Sequence, residues 1–303
     1  MNLTWYPLTP ADQPVYTKYY SMTETKMTDL TFHCRFAWDN VFHIRWTVCE
    51  DCLIQISDGD GYTSPFMLMP LGKLTPEKLE KIVRAVRPVF ADKGWPFRII
   101  GIEESAKPVF EKSGIAAKID FEEDSSDYFY DAELLRTLPG KKYAKKRNHW
   151  SKFLRMYPDY QYETLSPDLF GECLKLVGTW ASDKGIDIAD TTESDYYMIK
   201  RIFDNWDSLK ARGGAIRIGG KIVAFSIGSV GQEEVGFIHF EKADIQYDGL
   251  YAAINKLVLE HEFPSIRYVN REEDMGIPGL RQSKESYFPI CKIRKWRFVP
   301  DAV

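Results

Sequence analysis

The stretch AIRIGGKIVAFSIGSVGQEEVGFIHFEKADIQYDGLYAAINKLVLEHEFPSIRYVN, residues 215–270, decides the fold. Two apolar runs flank Gly219-Gly220, a pattern that is typical of a tight β-hairpin. The elements predicted within the stretch are strands over 215–218, 221–229, 235–240 and 266–270, and a helix over 249–263. Consecutive antiparallel strands followed by a strand–helix–strand crossover indicate a mixed sheet that is covered by helices.

The same periodicities predict the remaining elements. In the second half these are strands over 160–165 and 292–299, and helices over 141–156, 167–184, 194–211 and 277–287. The first half follows a shorter version of this order, with a hairpin over 42–57, a helix that begins at Thr75-Pro76 and a short strand over 127–130. At 303 residues the chain is long enough for two domains. We predict a mixed α+β fold with domains over 1–136 and 137–303, the second of which carries the functional cleft.

The composition indicates a folded globular protein, because 44% of the residues are hydrophobic and 28% are charged. The net charge of −4 argues against binding of polyanions by bulk electrostatics. The five cysteines are odd in number and sparse, which is unlike a disulfide scaffold, and Cys49 and Cys52 have no second pair with which to form a metal site. We predict no metal. No apolar run approaches the roughly 18 residues of a membrane-spanning helix, and residues 1–7 do not resemble a secretory signal. The expected compartment is the cytoplasm.

Charge is distributed unevenly along the chain. Residues 120–133 hold seven acidic side chains and no basic one, whereas 141–155 hold seven basic side chains and no acidic one. The basic segment is predicted to be helical, so several of its charges share a face. Such a face can dock phosphates of tRNA, a nucleotide or a lipid; the candidate residues are Lys142, Lys145, Lys146 and Arg147. The alternative is a solvated helix face that neutralises the acidic stretch before it.

Polar residues crowd the end of the strand predicted over 266–270. Ligand sites in open α/β sheets lie beyond the carboxyl ends of strands. Asn270 can therefore bind an amino group, and Glu272 or Asp274 can serve as a general base. The alternative is an Asx-type turn with helix capping.

Four segments resemble the bacterial family DUF2156: LPGKKYAKKRN (138–148), YDGLY (247–251), YVNREEDMG (268–276) and GLRQSKESY (279–287). That family is related to the C-terminal domain of lysylphosphatidylglycerol synthases and is similar to the Fem aminoacyltransferases. The resemblance implies two tandem acyl-CoA N-acyltransferase (GNAT)-like domains, each a mostly antiparallel sheet flanked by helices. It also implies transfer of an acyl group from acyl-CoA or aminoacyl-tRNA to a small-molecule, lipid or peptide acceptor. No permanently bound cofactor is expected. Arg281 lies in the last of these segments and is a further candidate for substrate binding.

The turn between the third strand and the helix occupies the position at which acyl-CoA transferases hold a pyrophosphate with backbone N–H groups. The residues implied here are Gln246, Asp248, Gly249, Leu250 and Tyr251. Gln246 and Gly249 match that pattern, whereas Tyr251 replaces a small residue. The alternative is an ordinary helix start with Asp248 as the N-cap.

Lys284 resembles the lysine with which Fem enzymes stabilise the developing oxyanion, and Tyr287 falls where many acyl-CoA transferases keep a general acid. The alternative is a surface lysine and a core tyrosine. The leading hypothesis is therefore an acyl- or aminoacyl-transferase that acts on an amine or hydroxyl. The competing hypothesis is a non-catalytic module of the same fold that binds a phosphate-bearing ligand through 141–155.

Overall fold

The computed structural model describes residues 3–59, 63–190 and 194–301. In chain order the strands and α-helices are β1 (Tyr6–Pro7), α1 (Gln13–Ser21), α2 (Phe32–Phe42), β2 (Arg45–Cys49), β3 (Cys52–Ser57), β4 (Phe66–Leu68), α3 (Pro76–Asp92), β5 (Ile99–Glu103), α4 (Lys107–Glu111), β6 (Ala117–Asp131), α5 (Ala132–Thr137), α6 (Ala144–Met156), β7 (Gln161–Thr164), α7 (Pro167–Asp183), α8 (Tyr196–Phe203), α9 (Trp206–Leu209), β8 (Arg212–Ile218), β9 (Lys221–Val230), β10 (Val235–Ala243), α10 (Leu250–His261), β11 (Tyr268–Asn270), α11 (Pro278–Glu285) and β12 (Cys291–Pro300). Short 3₁₀ turns precede α1 and α2.

The chain forms two compact units. The first consists of Met1–Asp127 together with Ile293–Val303, and the second of Tyr128–Lys292. This division differs from the predicted boundary between residues 136 and 137. The difference at the C-terminus arises because β12 pairs antiparallel with β5, with Lys295 opposite Glu103, so the last strand belongs to the first unit.

The second unit is a mixed sheet with the strand order β6-β11-β10-β9-β8-β7. The hairpin of β8 and β9 turns at Gly219-Gly220, as predicted, and β9 pairs antiparallel with β10. Helix α10 crosses from β10 to β11, which are parallel. Helices α10 and α6 cover one face through a buried cluster whose members are Phe153, Ile216, Val223, Ala224, Ala243, Leu250, Ala253, Ile254 and Leu257.

The first unit repeats this pattern with the strand order β1-β2-β3-β4-β5-β12-β6. Strands β4 and β5 are parallel, whereas β1–β2, β2–β3, β3–β4 and β5–β12 are antiparallel. Helix α3 begins as predicted, with Pro76 in its first turn and the Thr75 hydroxyl accepting a hydrogen bond from Lys78 N at 3.3 Å. The predicted hairpin over 42–57 is also present, as β2 and β3.

Several helices differ from the sequence prediction. The helix predicted over 194–211 is two shorter helices, because the Asn205 side chain donates to the Arg201 carbonyl at 2.9 Å and interrupts the segment. Helices α2 and α5 were not predicted. Helix α2 buries Phe32, Arg35 and Val41 among others, so its apolar residues do not form one clear stripe.

The acidic stretch over 120–133 is mostly strand. Strand β6 begins at Ala117, ten residues before the predicted start at 127. Arg297 on β12 lies 3.4 Å from Asp120 and 3.5 Å from Glu122. Within the first unit Asp120 and Glu122 are thus paired with the last strand of the chain.

A buried ion network holds the first unit. The Lys295 ammonium has a side-chain exposure of 3% and contacts Asp127 Oδ1 at 2.6 Å and Asp29 Oδ2. Arg35 reaches the other oxygen of Asp29 at 3.2 Å, and Thr28 N donates to Asp127 at 2.9 Å. The charges balance, and the network joins segments that are far apart in the sequence.

Replacing Lys295 by methionine should lower the free energy of unfolding by about 3–5 kcal/mol, because two buried carboxylates lose their shared cation. The matched control is Lys118→Met, whose ammonium is 75% exposed beside Asp120, so we expect a loss below about 1 kcal/mol. Chemical denaturation of both variants measures the difference. Equal losses would contradict the structural role of Lys295.

Candidate functional site

An opening between two parallel strands organises the polar residues of the second unit. Strands β10 and β11 pair over only three residues, the last being Phe237 opposite Asn270. Beyond this point β10 stays with β9. The chain after β11 instead bonds to Tyr128, which accepts from Arg271 N and donates to Glu272 O at 3.0 Å each. The strands therefore part at their carboxyl ends, where ligand sites of such sheets lie.

Arg271 and Glu241 form a buried ion pair at this opening. Their closest atoms are 3.0 Å apart, and each side chain is 12% exposed. The buried Asn255 amide of α10, oriented so that its oxygen accepts, takes hydrogen bonds of 3.1–3.3 Å from the Arg271 guanidinium. The pair is thus fixed from β10, from the end of β11 and from the helix that connects them.

Lys146 of α6 adds a second cation to this group. Its ammonium lies 3.7 Å from the centroid of the Tyr287 ring, and the Arg271 guanidinium lies 5.1 Å from the same centroid. Burial, with Arg271 and Lys145 nearby, lowers the pKa of Lys146 to about 8. Among the described residues no carboxylate oxygen lies within 4.0 Å of the Lys146 ammonium. Such a half-buried cation suits an anionic group of a ligand.

The Glu272 side chain, which lies two residues after the end of β11, contacts a different set of residues from Arg271. Its carboxylate is 27% exposed and lies 3.4 Å from His239 Nδ1, and His239 Nε2 lies 2.9 Å from the Ser229 hydroxyl. Asn270, which is fully buried, forms the Asx turn predicted as the alternative, because its side-chain oxygen accepts from Glu272 N at 2.7 Å. Asn270 therefore shapes the turn that carries Glu272.

Asp274 is fully buried and strongly engaged. Arg281 binds both of its oxygens at 2.8 and 2.9 Å, the Tyr128 hydroxyl donates at 2.6 Å, and Lys292 lies 3.5 Å away. The hydrogen bonds from Arg281 and Tyr128, opposed by burial, hold the pKa of Asp274 well below its usual range. A carboxylate so stabilised in its charged form is a poor base, and Arg281 is correspondingly occupied.

Lys284 and Tyr287 both lie beside Arg271. The Lys284 ammonium donates to the Arg271 carbonyl at 2.5 Å, and the Lys284 carbonyl accepts from the Tyr130 hydroxyl at 2.9 Å. Burial raises the pKa of Tyr287 to about 12, so this phenol keeps its proton at neutral pH. Lys284 and Tyr287 therefore both contact Arg271, through its carbonyl and its guanidinium respectively. The carboxylate of Glu272, the next residue in the chain, lies beside His239 instead.

The turn before α10 packs against α6. Gly249 precedes the helix with φ +78°, and a Cβ placed on it would lie 2.3 Å from the His149 carbonyl oxygen. Asp248 pairs with Lys152 at 2.7 Å and does not cap the helix. The glycine therefore permits close approach of a neighbouring helix, which explains it without a bound phosphate.

The other residues of the turn and of the basic helix are placed as follows. Gln246 N donates to the Asp244 side chain at 2.9 Å, and Leu250 is buried at the first position of α10. Tyr251 is 40% exposed, and burial together with Glu241 raises its pKa.

In the basic helix, Arg147 donates twice to backbone carbonyls at 2.5 Å, so its guanidinium holds the loop before α6. Lys142 lies 4.4 Å from the centroid of the Phe288 ring, and Lys145 is exposed.

Sequence reasoning missed four members of this site: Ser229, His239, Glu241 and Asn255. None belongs to a local sequence motif, since each lies inside a strand or a helix. A signal was present for two of them, because His239 and Glu241 lie near the carboxyl end of β10. Ligand sites are expected at such strand ends, and this rule also identified residues 270–274.

Among the described residues, no helix is long and apolar enough to cross a membrane. In the same part of the chain, no three His, Cys, Asp or Glu side chains are grouped so that they could hold a metal ion. Cys49 and Cys52 lie opposite each other on β2 and β3. Burial raises the pKa of the Cys52 thiol to about 11, which disfavours its reactive thiolate form.

A family model described as phosphatidylglycerol lysyltransferase, C-terminal, matches residues 24–299. An uncharacterised protein of Mycoplasmoides gallisepticum is 26% identical over 192 residues, which are 61% of this chain. The chain spans 61% of the length of that relative.

Solved structures show the fold. A conserved protein of unknown function from Bacteroides thetaiotaomicron is 29% identical, covers 99% of this chain and 100% of its own, and superposes with a TM-score of 0.90. L-PGS from Bacillus licheniformis is 16% identical, with 97% and 92% covered and a TM-score of 0.65. A tandem GNAT protein from the clavulanic acid biosynthesis pathway is 9% identical, with both chains fully covered and a TM-score of 0.53. The predicted family and the tandem GNAT-like α+β fold are confirmed.

Replacing Gly249 by alanine should lower the free energy of unfolding by about 2–4 kcal/mol, because the methyl group meets the His149 carbonyl in a left-handed backbone. The control is Gly279→Ala in α11, where a Cβ meets nothing within 4 Å and helix propensity predicts a gain of up to about 1 kcal/mol. Thermal and urea denaturation measure both. An unchanged Gly249→Ala protein that has lost only ligand binding would favour the phosphate-cradle interpretation instead.

Proposed function

The chain belongs to the phosphatidylglycerol lysyltransferase C-terminal family, and from that membership we propose that it transfers an acyl or aminoacyl group to an amine or hydroxyl acceptor. The reaction would take place in the second unit, at the opening between β10 and β11. The observation that carries the proposal is that three of the predicted residues adjoin Arg271. Glu272 follows it in the chain, the Lys284 ammonium donates to its carbonyl, and the Tyr287 ring centroid lies 5.1 Å from its guanidinium. A base, a cation and a protonated phenol are the groups that acyl transfer needs.

Glu272 is the proposed base. An acceptor amine attacks the donor carbonyl and loses a proton to the Glu272 carboxylate, while the electron pair of the carbonyl moves to oxygen. Glu272 is preferred to Asp274, because its carboxylate is 27% exposed whereas Asp274 is fully buried and held by Arg281 and Tyr128. Collapse of the intermediate then expels the thiolate or the hydroxyl oxygen of the donor.

Lys284 is the proposed oxyanion stabiliser, and Tyr287 the proposed general acid. The bond from the Lys284 ammonium to the Arg271 carbonyl holds a positive charge at the opening, and such preorganisation is what stabilises a developing negative charge. The raised pKa of Tyr287 keeps a proton available for the leaving group. Substitution of Lys284, described below, tests its assignment.

The cationic face of α6 is the proposed contact for the donor. The half-buried Lys146 and the exposed Lys142 and Lys145 can meet phosphates of acyl-CoA or aminoacyl-tRNA. The close packing of Gly249 against α6 leaves recognition of phosphates to side chains rather than to the N-terminus of α10. This favours aminoacyl-tRNA over acyl-CoA as the donor, with an amine or hydroxyl of a small molecule, lipid or peptide as the acceptor.

A non-catalytic binding module is the second candidate. It is favoured by the extent to which Asp274 and Arg281 are occupied with each other. Charge reversal at Lys145 and Lys146 should weaken binding of the phosphate-bearing ligand under either candidate. Turnover of the unaltered protein separates the two, because a binding module transfers no acyl group from either donor.

Ligand binding is the first measurement. We expect charged tRNA to bind the protein and to be released steeply as salt increases, because phosphate contacts displace counterions. Acetyl-CoA is the parallel probe, and a ligand present at 100 times its Kd should stabilise the fold by about 2.7 kcal/mol. A thermal shift with acetyl-CoA and no binding of tRNA would replace the aminoacyl donor by an acyl-CoA donor. Binding of neither would contradict both donors.

Turnover of variants at Lys284 and Glu272 tests the assignment of these two residues. Lys284→Ala should reduce kcat by one to three orders of magnitude, the range for a lost oxyanion donor, while Lys284→Arg retains the charge and part of the rate. Glu272→Gln should reduce kcat by at least about 100-fold. The control is Glu285→Gln, a carboxylate exposed on α11, which should leave the rate unchanged. Wild-type turnover in Lys284→Ala or Glu272→Gln would remove that residue from the mechanism.

A further inference from the structure

We infer that His239 is a positioning residue: its Nδ1–H holds the Glu272 carboxylate, and its Nε2 accepts from the Ser229 hydroxyl. The distances are 3.4 Å from Nδ1 to Glu272 Oε1 and 2.9 Å from Nε2 to Ser229 Oγ. The inference rests on the proposed function, in which Glu272 is the base. It concerns a residue that no local motif indicated.

The fold brings the three residues together from two neighbouring strands and the end of a third. Ser229 lies on β9, opposite Phe237 of β10. Phe237 precedes His239 by two residues. The register of the pair shifts between Ile238 and Phe240, so His239 is the extra residue of a β-bulge. Bulges of this kind re-aim a side chain and are frequent beside active sites.

The hydrogen-bonding capacities of the three groups determine which ring nitrogen carries the proton. The His239 side chain is 2% exposed, and burial lowers its pKa to about 3, so the ring is neutral near pH 7 and carries one N–H. An ionised carboxylate can only accept, so the N–H that faces Glu272 must be at Nδ1. Nε2 is then an acceptor, and the Ser229 hydroxyl donates to it.

The backbone supports the same orientation from the other side. Glu272 has φ +60°, a left-handed conformation that a non-glycine residue keeps only where its surroundings impose it. Its N–H donates to the Asn270 side chain at 2.7 Å and its carbonyl accepts from Tyr128 N at 3.0 Å. The turn thus fixes the Cα of Glu272, and His239 meets the carboxylate that projects from it.

A Ser–His–Glu series is also the connectivity of a nucleophilic triad, but burial argues against that role here. Ser229 is 1% exposed, so a donor carbonyl cannot approach its hydroxyl without displacement of the core. The Ser229 hydroxyl is instead the group that fixes the far nitrogen of the ring. Mass spectrometry after mixing with donor should accordingly show no acyl group on Ser229.

The tautomer can be tested without any assay of transfer. In protein labelled with ¹⁵N-histidine, nitrogen shifts report which ring atom is protonated for each of the five histidines. We expect one ring that stays neutral below pH 5 as the Nδ1–H tautomer, and its signals should be absent from His239→Gln. An Nε2–H tautomer, or titration of this ring near pH 6.5, would overturn the inference.

Two isosteric variants then separate positioning from packing. The amide nitrogen of His239→Asn lies near the Nδ1 position and can still donate to Glu272, whereas that of His239→Gln lies near the Nε2 position and reaches only Ser229. We expect Asn to stay within about 3-fold of the wild-type rate. Gln should lose 10–100-fold, the usual cost of removing such a supporting hydrogen bond, and the acid limb of its kcat/KM profile should move to higher pH.

The outcomes distinguish the inference from the proposed function. Equal losses in the two variants, or an unchanged acid limb in His239→Gln at matched melting temperature, would show that His239 acts through packing alone. Absence of transfer in the wild-type protein with both donors would defeat the proposed function, and the nitrogen shifts would still decide which atom of His239 faces Glu272.

Discussion

The parting of β10 and β11 after three residue pairs is the constraint on which the second unit depends. Two parallel strands that separate must find other partners for their backbone groups, because buried N–H and C=O groups are costly when unpaired. Here β10 keeps β9 as its partner, and the chain after Asn270 turns to Tyr128. The Lys284 ammonium donates a hydrogen bond to the Arg271 carbonyl. Polar side chains therefore reach the opening while the local backbone remains hydrogen-bonded.

The fold could be predicted where local chemistry and tertiary structure agree. Gly219-Gly220 and Thr75-Pro76 each specify a turn or a helix start by their own backbone preferences, and both predictions are confirmed. The length of strand β6 was underestimated, because an acidic run has low strand propensity. Arg297 compensates for that propensity from a strand about 175 positions away, and no local pattern reports such a partner.

The residues of the candidate site also fall into those that the sequence could identify and those that it could not. Residues 270–287 form consecutive motifs, so Glu272, Lys284 and Tyr287 could be singled out from the sequence, and each adjoins Arg271 in the chain or in space. The residues that support these side chains could not be identified from the sequence. His239, Glu241 and Asn255 have ordinary strand and helix neighbours, and their chemistry exists only through register, a bulge and one turn of α10. The turn at Gly249 illustrates the reverse case, since a glycine that resembles a phosphate-binding residue is required by the approach of α6.

The two units contain the same parallel strand pair, and the contrast between them is our reason for assigning the proposed transfer to the second. In the first unit β4 and β5 pair through Met67 and Leu68, and the chain continues with the buried apolar residues Met69 and Leu71. The carboxyl end of β5 carries the buried Glu103, whose carboxylate accepts from the Thr25 hydroxyl and from Lys26 N. In the second unit the cations Arg271 and Lys146 lie at the strand end, where their burial costs desolvation energy. That cost is understandable where a ligand with complementary charge repays it.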